Sequence, residues 1–130
     1  MKTHAVLKNI LDHETIFDGE AGLDYTENSS LVLTMKNEEG EMVWKLLSKG
    51  IRIENRSREF VTVLNLFEKG YGKAKITTPY GVLDCQVEDV KIACDSGRVR
   101  VSYLLNGADL FSFELTCSAI QKPEDSAAIS

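Results

Sequence analysis

Apolar and polar residues alternate along much of this chain with a period of two. Leu31, Leu33 and Met35 alternate with Ser30, Val32, Thr34 and Lys36, and Ile51 and Ile53 alternate with Arg52, Glu54 and Arg56. Val99, Val101, Tyr103 and Leu105 alternate with Arg98, Arg100, Ser102 and Leu104. Phe111, Phe113, Leu115 and Cys117 alternate with Leu110, Ser112, Glu114 and Thr116. Successive side chains of a strand point to opposite faces, so such a segment has one wet face and one buried face. Antiparallel sheets have that requirement; parallel sheets covered on both sides do not.

The punctuation agrees. Asn37-Glu38-Glu39-Gly40, Glu68-Lys69-Gly70-Tyr71-Gly72, Asp95-Ser96-Gly97 and Asn106-Gly107 separate the alternating runs. Asn106-Gly107 suits a tight hairpin because both residues tolerate positive φ. Thr78-Pro79-Tyr80-Gly81 reads as a turn, with Pro presetting φ and Gly completing it. Strands are expected at 4–11, 14–18, 22–27, 30–36, 41–48, 50–56, 59–67, 73–78, 82–88, 90–94, 98–105 and 109–117, some continuous across the gaps. Segment 41–48 is ambiguous. Met42, Val43, Leu46 and Leu47 also fit a helical stripe with Gly50 as its cap, but short hairpin-like flanks favour a strand. So many strands create an edge problem, which closing the sheet removes. The expected fold is all-β: an antiparallel, closed or nearly closed barrel, with a sandwich as the alternative.

Phe67-Glu68-Lys69-Gly70, then Thr77-Thr78-Pro79-Tyr80-Gly81, then Gly97 with Val99, Val101 and Tyr103, resemble the YwiB-like family of small bacterial proteins of unknown function. The resemblance spans roughly residues 4–118, and the Thr-Pro-Tyr-Gly turn is its most specific part. It implies a calycin-like (lipocalin-type) barrel, a bacterial source and a cytoplasmic location. It implies no reaction, since the family has no catalytic motif to carry over.

A chain of 130 residues suits one compact domain. The expectation is a single barrel domain over 1–121 and a flexible tail over 122–130. No apolar run approaches the roughly 20 residues of a membrane helix, and residues 1–12 lack the h-region of a secretory signal. A cytoplasmic protein is expected. Cys85, Cys94 and Cys117 make a poor disulfide framework, and alternation places all three on apolar faces.

The net charge of -5 disfavours general nucleic-acid binding. The charge is uneven, however. Residues 1–44 hold 3 basic and 9 acidic side chains, 45–75 hold 8 and 3, and 76–130 hold 4 and 8.

The candidate sites divide into an interior set and an outer set. Trp44, Thr78, Tyr80 and Tyr103 are the ligand-binding candidates: an indole and three polar-tipped side chains that alternation groups with apolar neighbours. Aromatics such as Phe60, Phe67, Phe111 and Phe113 either line a cavity or fill the core. Tyr80 is expected to pack its ring at the barrel end, with Leu83, Cys85 and Val87 inward. Arg52, Arg56, Lys73 and Lys75 form the outer set. They suit an acidic partner, or else cross-strand pairing with acids such as Glu54, Asp84 and Glu88.

No metal site or cofactor is expected, because His4 and His13 lack nearby ligands at zinc spacing. Glu38-Glu39 and Glu88-Asp89 sit beside turns, where carboxylates are usually solvated, and no nucleophile or phosphate-loop motif appears. The reading is a noncatalytic protein that binds a small, partly apolar ligand or acts as an accessory. The alternative is a protein-interaction module using the basic face of 45–75 or an exposed strand edge.

Overall fold

The computed structural model describes residues 1–27 and 30–120. Ten strands run in chain order: β1 (Lys2–Asn9), β2 (Glu14–Tyr25), β3 (Leu31–Asn37), β4 (Gly40–Leu47), β5 (Gly50–Ser57), β6 (Val61–Phe67), β7 (Tyr71–Thr78), β8 (Gly81–Asp95), β9 (Arg98–Leu105) and β10 (Asp109–Cys117). Each pairs antiparallel with its neighbour in sequence, and β1 pairs with β10 to close the barrel. Closure settles the choice between barrel and sandwich, and 41–48 forms β4 rather than a helix. The expected tail over 122–130 lies outside the described residues.

Two pairs of expected strands are single strands. Segments 14–18 and 22–27 fuse into β2, while 82–88 and 90–94 fuse into β8. In β8 the chain does not turn at Asp89 but bulges there. Asp89 takes a φ of 52°, and the register with β9 shifts between Glu88 and Lys91. A bulge inserts one extra residue and bends the strand without ending it. The Val90 N–H meanwhile donates to the Gly70 carbonyl at 2.9 Å.

The core follows from the alternation. One row across the inner face runs Leu33–Trp44–Ile53–Leu64–Ala74–Cys85 through successive strand pairs. Leu7, Leu33, Trp44, Leu66, Val87, Val99 and Leu115 are sealed from solvent. Removing such a side chain from water stabilises by about 1.5–3 kcal/mol. Ile120 closes one end of the barrel, where its carbonyl accepts from the Gly97 N–H at 2.8 Å. The other end, called the upper end below, carries the turns after β1, β3, β5, β7 and β9.

The β7–β8 hairpin departs from expectation at its tip. Thr78 pairs with Gly81, so Pro79 and Tyr80 form the two-residue loop, as the sequence suggested. Tyr80 is 99% exposed and plugs nothing. Leu83 is 60% exposed, whereas Val87 is buried and Cys85 half-buried. The reason is length: β8 pairs with β9 only from Val87 onward, and the Gln86 carbonyl accepts from the Asn106 N–H at 2.8 Å, so Gly81–Cys85 overhangs the barrel wall. Cys117 is buried and Cys94 half-buried, and none of the three cysteines forms a disulfide.

Candidate functional site

Among the described residues, none fills the upper end of the barrel. A cavity of about 310 Å³ opens there between β1–β2 and β3–β5. Leu7, Phe17, Met35 and Met42 make its apolar wall, and Phe60, in the turn after β5, stands at its mouth. Ile16 joins them because the β1–β2 register shifts between Leu7 and Lys8, beside it. Glu14, Glu39, Glu41 and Arg56 surround the opening.

Asn55 is one of the polar groups that line it. On β5 it shares a face with the buried Ile51 and Ile53, and it pairs across strands with Met42 and Thr62. Its side-chain amide makes no hydrogen bond to any described residue. Ser57 differs, since its hydroxyl donates to the Phe60 carbonyl at 3.2 Å and so shapes the mouth. A half-buried amide without a protein partner retains its hydrogen-bonding capacity for water or a ligand.

The four interior candidates do not line this cavity. Trp44 is 1% exposed and sits beneath it, where its indole N–H donates to the Met42 sulfur at 3.2 Å. Tyr103 is buried among aromatic neighbours, with ring centroids 5.4 Å from Phe111 and 6.5 Å from Phe113. Burial pushes its phenol from 10.0 up to about 12. The Thr78 hydroxyl belongs to the hairpin turn, donating to the Gly81 carbonyl and accepting from the Tyr80 N–H, each at 3.1 Å. Tyr80 projects into solvent and orients nothing from inside.

Sequence reasoning missed Met42 and Asn55. The signal for Asn55 was present, since it is the third residue of the inward series Ile51, Ile53, Asn55. A polar residue in an apolar series marks a place where the interior is wet.

The outer candidates are brought together. Strand pairing sets Lys45, Arg52, Asn65 and Lys73 in one row across β4, β5, β6 and β7. Lys75 follows in the next row and Arg56 in the row beyond. Two acids lie within the group: Glu54, 3.7 Å from Arg52 and 3.9 Å from Arg56, and Glu41, opposite Arg56 on β4. Asp84 stands opposite Lys75, but no ion pair within 4.0 Å forms there among the described residues.

The histidines are apart from both sites. His4 faces outward and meets Asp18 at 2.8 Å, and His13 occupies the β1–β2 turn. Among the described residues, no three His, Cys, Asp or Glu side chains are grouped as metal ligands, and no helix is long and apolar enough to cross a membrane. Comparison with family models, with curated proteins and with solved structures found no match.

Proposed function

We propose that this protein is a noncatalytic, cytoplasmic barrel of the YwiB-like, calycin-like kind that holds a small, partly apolar molecule at its upper end. The observation that carries the reading is the cavity of about 310 Å³, walled by Leu7, Phe17, Met35 and Met42 around the unpartnered amide of Asn55. Ligand pockets start at about 300 Å³ and set apolar surface beside polar groups that fix orientation; here the apolar wall faces a rim rich in polar groups, Glu14, Glu39, Glu41 and Arg56 among them. The lining has no His, Cys or Lys to act as a nucleophile or a neutral-pH base. The ligand this favours has an apolar body and one hydrogen-bonding group.

The test uses N-phenyl-1-naphthylamine, an apolar probe that fluoresces when shielded from water. Saturable one-to-one binding is expected, with energy transfer from Trp44, the chain's one tryptophan. The variant Asn55→Phe fills the cavity and should abolish that binding while the strand spectrum persists. Absence of saturable binding, or binding indifferent to the filling, would refute the reading.

A further inference from the structure

We infer that the outer wall formed by β4–β7 is a docking surface for an acidic polypeptide segment that also carries apolar side chains. The strongest reason is a local conflict. Lys45 and Arg52 are directly opposite each other on β4 and β5. Like charges in that position destabilise a strand pair. In the same row Lys73 adds a third cation, with only the neutral Asn65 between it and Arg52. Arg52 donates to Asn65 Oδ1 at 3.4 Å, and its nearest acid, Glu54, lies at 3.7 Å. Lys45, Lys73 and Lys75 have no ion pair within 4.0 Å among the described residues. A chain of net charge -5 thus gathers Lys45, Arg52, Arg56, Lys73 and Lys75 on one stretch of wall, against two acids there, Glu54 and the Glu41 that stands opposite Arg56.

The apolar groups beside these cations indicate the class of partner. Tyr71 is 51% exposed on the outer face of β7, two residues before Lys73, and its ring packs on Phe67 with centroids 4.9 Å apart. Leu47 is exposed on the outer face of β4, two residues after Lys45. Cations around exposed aromatic and aliphatic groups match the anatomy of protein interfaces, where Arg and Tyr are enriched. Single-stranded nucleic acid instead requires a succession of rings for successive bases, and this wall offers one exposed ring. The complement is therefore a segment with carboxylates set among apolar residues.

The probe is a short fluorescein-labelled peptide alternating Glu with Val, followed by anisotropy; its counterpart has Gln in place of Glu. The parent should bind the Glu peptide, more weakly as salt rises, and ignore the Gln peptide. The double variant Lys45→Thr, Arg52→Thr should lose about tenfold or more in affinity, as expected for charges at the contact. Its denaturant midpoint should equal or exceed the parent's, because the repulsion is gone. Lys73→Thr, at an exposed position, is the independent variant and should also weaken binding.

Failure of the parent to bind the Glu peptide, or equal binding by the variants, would overturn the proposal. A lower midpoint in the double variant with undiminished binding by Lys73→Thr would do the same, because the cations would then be structural. Preferential binding of oligouridylate or of phosphatidylglycerol vesicles would reassign the wall to nucleic acid or lipid. Salt-sensitive self-association that the double variant abolishes would reassign it to a second copy of the chain.

Discussion

Tyr103 shows how one buried residue ties stability to pH. Its phenol is neutral when protonated, and burial opposes the charged phenolate, so its pKa rises from 10.0 to about 12. The folded state therefore holds that proton more tightly than the unfolded state does. Stability is intact below pH 10, and the loss grows as pH climbs toward 12, reaching about 2–3 kcal/mol. In Tyr103→Phe that loss is absent. Denaturant midpoints measured between pH 9 and pH 12 for both proteins check this, and parallel curves would contradict it. Tyr80 is the opposite case. With its ring in solvent, Tyr80→Ala should change stability by no more than about 0.5 kcal/mol. Denaturant titration checks this, and a larger loss would mean that the ring packs. Alternation reveals which face of the sheet a residue occupies, and it placed Tyr103 correctly on the inner face. It does not reveal where a strand outruns its neighbour, so Tyr80 and Leu83 were expected inside.

At the scale of elements, the turns were the most legible part. Asn106 and Gly107 take φ values of 53° and 71°, as their residue types permit. The fusion within β8 was hidden for a physical reason. Asp tolerates positive φ, so Asp89 supports a bulge inside a strand as readily as it supports a turn between two. Gly50 records a closer constraint, at the start of β5. A methyl group there would collide with the Leu66 carbonyl oxygen on β6. Gly50→Ala is therefore expected to cost about 1–3 kcal/mol, as overpacking does, and denaturant titration reads this directly. A variant as stable as the parent would show that the β5–β6 approach is looser. The overhanging part of β8 has the opposite character. No strand pairs with its second edge among the described residues, so alternate amides between Val82 and Cys85 should exchange with solvent far faster than those of β9.

Among the described residues, the barrel has one packed end and one end that opens into a pocket, and the sequence could not distinguish them. Closure of the barrel was legible, because many short strands with wet and dry faces favour a form without edges. Hollowness depends on the summed volume of side chains drawn from every strand, and no local pattern encodes that sum. Asn55 is where the question becomes measurable. Its amide is half-buried at the cavity, still reaches solvent and has no partner among the described residues, so it adds no intramolecular hydrogen bond to the fold. Asn55→Leu removes that amide and adds apolar contact with the wall. Stability should rise by about 0.5–2 kcal/mol, the range typical of cavity-filling changes. Ligand selectivity should move the other way. If the amide orients a bound molecule, the parent favours decanol over decane as a displacer of N-phenyl-1-naphthylamine, and Asn55→Leu loses that preference. A stability gain with lost selectivity identifies Asn55 as a residue kept for binding at the expense of folding. If Asn55→Leu is instead less stable than the parent, the amide is structural and the hollow end is a packing defect.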